Sequence, residues 1–126
     1  MFQNTKAFFS FSVDDLSKAK QFYAETLGVN VKESPEGLEL DLGGCQGFIY
    51  PKENHQPATY TILNFPVESV EEAVKELKSR GVTFEVYDEG DLKTDANGIS
   101  RGEGGPVIAW FKDSAGNFLS VLEPTT

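Results

Sequence analysis

One cysteine, Cys45, and one histidine, His55, are all this chain offers of the side chains that most often bind soft or borderline metals. A lone thiol excludes an intramolecular disulfide and any site built from several thiolates. Basic residues are also few: 11 Lys and Arg stand against 20 Asp and Glu, for a formal charge of −9. Such a balance repels phosphate backbones and anionic lipid, and no local Lys/Arg cluster offsets it, so no nucleic acid and no membrane surface is an expected partner. The apolar runs are short, far below the roughly 20 residues that span a bilayer. The opening MFQNTKAFF has no basic segment followed by a long apolar one. No signal peptide is expected, and the cytoplasm is the expected compartment of a soluble protein.

At 126 residues the chain has the length of one domain, long enough to bury about two-thirds of its unfolded surface without a disulfide or a structural metal. Its organising stretch is residues 9–28. Phe9, Phe11 and Val13 alternate with Ser10 and Ser12 as a strand with one apolar face. Asp14 or Asp15 then caps a helix in which Leu16, Ala19, Lys20, Phe22, Tyr23 and Leu27 recur at spacings of three and four, and Gly28 supplies the left-handed position that ends it. Three strands are expected to follow: residues 29–34, a run in which Leu38, Leu40 and Leu42 alternate with Glu39 and Asp41, and residues 45–50, ended by Pro51.

The order then returns. Residues 60–65 read as a strand, Val67, Glu68 and Ser69 open a helix, Val70, Ala73, Val74 and Leu77 form its apolar stripe, and Gly81 ends it. Val13 falls on Val67, Leu16 on Val70 and Ala19 on Ala73 at one offset, so residues 1–57 and 58–126 look like repeated modules. Residues 82–87 are the expected next strand. Residues 88–106, rich in glycine, read as a long loop, of the length that often serves as a functional lid. Residues 107–112 and 118–123 complete the count as a hairpin across Asp113, Ser114, Ala115, Gly116 and Asn117. A βαβββ order repeated twice, with one helix per group of strands, is an α+β pattern and not a doubly wound one. Each sheet then has one face without a helix, and a cleft between the halves is the expected ligand site.

The run FSVDDLSKAKQFYAETLGV, the second helix SVEEAVKELKSRGV and the closing FKDSAGNFLSVLE resemble the vicinal oxygen chelate superfamily of glyoxalase I, bleomycin-resistance proteins and extradiol dioxygenases. The resemblance implies paired βαβββ modules around a cup-shaped cavity with the helices outside, commonly in a homodimer. It also implies where a metal would be held, and each of those places lacks a suitable donor. The first-strand ligand falls on Phe8, its second-module counterpart on Ile62 and the last-strand ligand on Ser120, while CQGFIY, the remaining source, holds no His, Asp or Glu. A metal-dependent reaction at the usual site is therefore not expected, and no cofactor is assigned.

If Phe8 faces the cup, alternation places Ser10 and Ser12 with it, and if Ile62 does, Tyr60 and Asn64 follow. Phe118, Ser120 and Leu122 join from the last strand, giving aromatic walls with hydroxyl and amide groups. The competing reading is that Phe8, Tyr60 and Phe118 collapse into a core. Arg101, in ISRGEGGP, is a candidate clamp for a carboxylate or an ordinary exposed arginine. One of Trp110 and Phe111 must face the helix and the other the cup. His55 reads as a solvated loop residue, and Cys45 as a small buried hydrophobe rather than a nucleophile. The functional expectation is metal-independent binding of an aromatic or cationic small molecule by a cleft lined by Phe8, Tyr60, Ile62, Trp110, Phe118 and Ser120. The alternatives are a lyase or isomerase using Glu123, Tyr60 or a loop acid as base, and a dimer without ligand.

Overall fold

A computed structural model describes residues 1–102 and 105–124. The chain is α+β and forms two compact units, Met1–Pro57 and Ala58–Thr126. In the first, β1 (Phe9–Val13) leads into α1 (Leu16–Lys20), and β2 (Asn30–Ser34), β3 (Gly37–Asp41) and β4 (Gln46–Pro51) follow. The four strands lie in the order β1-β4-β3-β2, with β1 parallel to β4 and the other neighbours antiparallel.

The helix is set at both ends. Asp15 is its cap, the carboxylate accepting from Lys18 N at 3.1 Å. From Gln21 to Thr26 the turns widen into a π-helical segment, closed by Leu27 N donating to Phe22 O and Val29 N to Tyr23 O, both at 2.9 Å. Gly28, at φ 72°, makes the left-handed step that this closure needs. The widening alters the expected stripe: Ala19 and Tyr23 are fully buried, whereas Lys20 stays exposed and pairs with Glu33 at 3.1 Å. Tyr23 packs against Phe11 and Phe22 at centroid distances of 5.9 and 5.4 Å. With Val13, Leu38, Leu40 and Ile49 these side chains make the core on one face of the sheet.

The second unit repeats the topology with an insertion. Its elements are β5 (Thr61–Pro66), α2 (Val70–Ser79), β6 (Asp88–Glu89), β7 (Leu92–Lys93), β8 (Ile99–Ser100), β9 (Ile108–Lys112) and β10 (Phe118–Leu122). The main sheet runs β5-β10-β9-β8, again with the first strand parallel to the last. Val70 and Val74 pack with Ala109, Phe111, Leu119 and Val121 as the buried side of this sheet.

Two expectations need correction here. Residues 82–87 do not form a strand; Phe84 makes one bridge to Phe111, and β8 takes the sheet position beside β9. Residues 88–106 are accordingly not a bare loop, since β6 and β7 pair as a hairpin and β8 joins the sheet. Gly98 makes this exchange possible. Its φ is 85°, and a Cβ there would stand 2.8 Å from Phe84 Cβ and 2.9 Å from Glu85 O, so only glycine lets the two segments lie this close.

Three polar ties hold the second unit together. Asp113 Oδ1 accepts from Ala115 N and Asn117 N at 2.9 Å, and its Oδ2 accepts from Asn117 Nδ2 at 3.0 Å, which builds the turn between β9 and β10. Asn117 Oδ1 in turn accepts from Ala58 N at 3.4 Å. Glu123 Oε2 accepts from Val70 N at 2.9 Å, fastening the end of β10 to the positive end of α2 beside the Ser69 cap. Glu123→Ala is expected to lower stability in urea by about 1–2 kcal/mol, through loss of a charge-assisted bond at a helix N-terminus, with Glu123→Gln recovering part of it.

Candidate functional site

In the first unit, α1 covers the face carrying Phe11, Val13, Leu38, Leu40 and Ile49, and alternation sends Ser10, Ser12, Glu39, Phe48 and Tyr50 to the other. Cross-strand pairs Ser10–Phe48, Ser12–Tyr50 and Glu39–Phe48 lie side by side there. Phe8 precedes β1 and is 68% exposed. It lines a recess of about 420 Å³ with Pro35, Glu36, Glu39, Gln46 and Phe48. The lining contains two carboxylates and no basic residue. Chemically this recess pairs aromatic faces with negative charge, the two features that attract a cation or an electron-poor ring.

His55 differs from the solvated residue expected. It is half-buried, and its Nδ1 lies 2.7 Å from Ser12 Oγ, so the imidazole ties residues 52–57 back to β1. Lys52 N, donating to Val13 O at 2.9 Å, makes a second tie. Cys45, expected to be buried, is exposed in the turn between β3 and β4, because β4 starts only at Gln46.

In the second unit the helix-free face is set by register. Ser120 faces Asn64 on β5 and Trp110 on β9. The β5–β10 ladder shifts between Phe118 and Leu119, so Phe118 is opposite Thr61 while Leu119 is opposite Leu63. Ile62 is the unmatched residue of this bulge. The period-two grouping of Tyr60, Ile62 and Asn64 is thereby broken, and Tyr60 lies before the strand, 70% exposed. Of the expected lining residues, Asn64, Trp110, Phe118 and Ser120 share this face. The Trp110 and Phe111 question resolves as well: Phe111 is buried against Phe84, and Trp110 takes the edge of Tyr87 at 5.8 Å.

The charges around this face are compensated. Lys112 Nζ lies 3.7 Å from Glu85 and 5.2 Å from the centroid of the Phe118 ring. The Tyr87 phenol is raised above its ordinary value by burial and by Glu85 and Glu89, so it remains a donor through neutral pH. Arg101 is held by its own unit, with Nη1 2.7 Å from Asp95 and Nη2 3.1 Å from Glu71. That arrangement fastens the β7–β8 segment to α2.

The donors present do not fit a metal. Phe8 and Ile62 have no lone pair to give, the Ser120 hydroxyl is bonded to Asn64, and among the described residues no three His, Cys, Asp or Glu side chains come together in a way that could hold an ion. Among the described residues no helix is long and apolar enough to cross a membrane.

Comparison with known proteins agrees with this architecture. A family model of the Glyoxalase/Bleomycin resistance protein/Dioxygenase superfamily matches residues 7–121. The genomically encoded fosfomycin resistance protein FosX of Listeria monocytogenes superposes with a TM-score of 0.71 at 19% identity, over 94% of this chain and 92% of that one. A glyoxalase family protein of Enterococcus faecalis gives 0.68 at 22%, over 98% and 100%. An integron cassette protein from the mobile metagenome of V. cholerae gives 0.66 at 21%, over 99% and 98%. At these identities the likeness is one of fold. No curated protein matches the sequence significantly.

The Asp95 carboxyl is held below its ordinary range first by the Ile99 N–H and then by Arg101 and the Asn97 N–H. A lowered folded-state value makes its contribution complete above the unfolded value of about 3.9 and lost as pH falls through the folded one. Asp95→Asn is therefore expected to weaken the protein at pH 7 and to narrow its stability gap from wild type between pH 4 and pH 2. Urea midpoints across that range check it. The effect will be small, because the side chain is 39% exposed.

Proposed function

The chain belongs to the Glyoxalase/Bleomycin resistance protein/Dioxygenase superfamily, and from that premise we propose that it binds a small aromatic or cationic molecule without using a metal. The observation that carries this reading is the recess beside Phe8, whose aromatic rings and two carboxylates are unaccompanied by any basic residue. A cation there gains from the ring faces and from Glu36 and Glu39 together, and the formal charge of −9 favours its approach. Sequestration of a toxic compound fits this chemistry, since binding alone suffices and no reacting group has to be poised. A fosfomycin resistance protein among the fold relatives is consistent with a protective role. In this reading the protein acts in the cytoplasm as a homodimer.

A lyase or isomerase reading has less support. Glu123, one of the bases it would use, spends a carboxylate oxygen on Val70 N–H. Tyr60 makes no hydrogen bond to a second acid or base among the described residues, and the ion pairs of Arg101 go to Asp95 and Glu71, which hold the inserted segment to α2.

Titration calorimetry with acridine orange, a planar cation, and fluorescein, a planar anion, tests the proposal. Binding of the cation alone is expected, with Phe8→Ala and Glu39→Gln each weakening it about three- to tenfold, the range of one exposed cation–π or charge contact. Equal binding of both dyes, or of neither, refutes it. Elemental analysis of the purified protein is expected to find no stoichiometric zinc, nickel, manganese or iron, and a stoichiometric metal would overturn the metal-independent reading.

A further inference from the structure

Across the helix-free face of the second unit, one hydrogen bond has an unusual division of exposure. Ser120 is fully buried, Asn64 is exposed, and Ser120 Oγ lies 2.5 Å from Asn64 Oδ1. So short a contact suits O–H···O rather than N–H···O, whose usual range begins near 2.7 Å. The assignment of the amide also follows from what Ser120 needs. Its hydroxyl carries a proton that must be given to an acceptor, and Asn64 Oδ1 is the acceptor available to it among the described residues. With the amide reversed, Asn64 Nδ2 would donate to Ser120 and leave a buried hydroxyl proton without an acceptor, which burial penalises. The serine thus fixes the amide so that its NH2 group turns away from the strand. Asn64 Nδ2 makes no hydrogen bond to a described residue, so two donors stand ready at the surface.

The surroundings favour one kind of ligand. Trp110 lies across β10 from Asn64 and beside Ser120, half-buried and braced at its ring by the edge of Tyr87. The bulge at Ile62 is what brings Asn64 rather than Leu63 beside Ser120. A donor pair fixed in direction, on the same face as a braced indole two strands away, suits an acceptor oxygen carried on a planar group that reaches across β10.

We propose that Asn64, oriented by the buried Ser120 hydroxyl, donates to an acceptor oxygen, carbonyl or carboxylate, on a planar ligand lying against Trp110. Asn64 would touch the ligand, and Ser120 is a positioning residue. This rests on the reading that the protein binds small molecules, and not on the recess beside Phe8. The pair supplies by hydrogen bonding what a metal-binding site would supply by coordination, a fixed partner for a ligand oxygen.

The test uses the full chain labelled with nitrogen-15 and three aromatic probes at millimolar concentration: acetophenone, a neutral acceptor, benzoate, an anionic one, and benzylammonium, which can only donate. The two acceptors are expected to shift the Asn64 side-chain NH2 resonances and the fluorescence of Trp110, the sole tryptophan. Benzylammonium is expected to leave the NH2 resonances unmoved. Comparing acetophenone with benzoate tells a neutral from an anionic oxygen. Asn64→Asp, a change at an exposed position that preserves shape, should weaken acetophenone about five- to tenfold and favour benzylammonium, reversing the order of the probes. Ser120→Ala should produce a similar weakening, with the two Asn64 NH2 resonances of the free protein moving as the amide loses its fixed direction. Acetophenone binding unchanged by Asn64→Asp, or no acceptor binding at all, overturns the proposal. If acridine orange still binds at the Phe8 recess, only this inference fails; if neither class binds, the small-molecule reading fails with it.

Discussion

A four-stranded sheet served by one helical segment can be covered on one face only, and both units of this protein live under that constraint. The covered face takes the apolar set, Phe11, Val13, Leu38, Leu40 and Ile49 in one unit and Ala109, Phe111, Leu119 and Val121 in the other. Alternation then obliges every second residue to face away from the helix. Those positions carry Ser10, Ser12, Glu39 and Phe48 in the first unit and Asn64, Trp110 and Ser120 in the second. Groups that would be costly against a helix are tolerated there, because they meet water, one another or a ligand.

Polar contacts then decide the details that hydrophobic burial leaves open. The buried Asp113 carboxylate satisfies three donors of the β9–β10 turn, which fixes the direction in which β10 leaves it. Glu123 fastens the far end of the same strand to α2. Arg101, between Asp95 and Glu71, holds the inserted segment against that helix. The central strand β10 is thereby tied at both ends, which lets Ser120 serve as a fixed support for its neighbour.

The helix-free faces carry a mixture of aromatic, carboxylate and amide groups. Aromatic rings, two carboxylates and an oriented amide stand there, and among the described residues no three His, Cys, Asp or Glu side chains converge. The two faces also differ in kind. The recess beside Phe8 sets aromatic rings beside two carboxylates, whereas the second unit's face sets an amide and a buried hydroxyl beside an indole.

Much of the fold was legible in the sequence, because period two and period three-to-four patterning records which residues must be buried. It located β1, α1, β3, β10 and the apolar stripe of α2, and the constant offset between Val13 and Val67 exposed the repeat. The superfamily followed from the same runs. What patterning does not record is pairing across the chain. Residues 82–87 have the composition of a strand, yet β8 takes the sheet position, since Gly98 permits a close approach that no local periodicity encodes. The bulge at Ile62 is invisible for a related reason: it is a mismatch between two strands, and only their alignment placed Asn64 beside Ser120. The half-buried contact of His55 with Ser12, separated by 43 residues, likewise belongs to the tertiary structure alone. Residue types determined what each unit had to bury, and three-dimensional register decided which of the remaining polar groups meet.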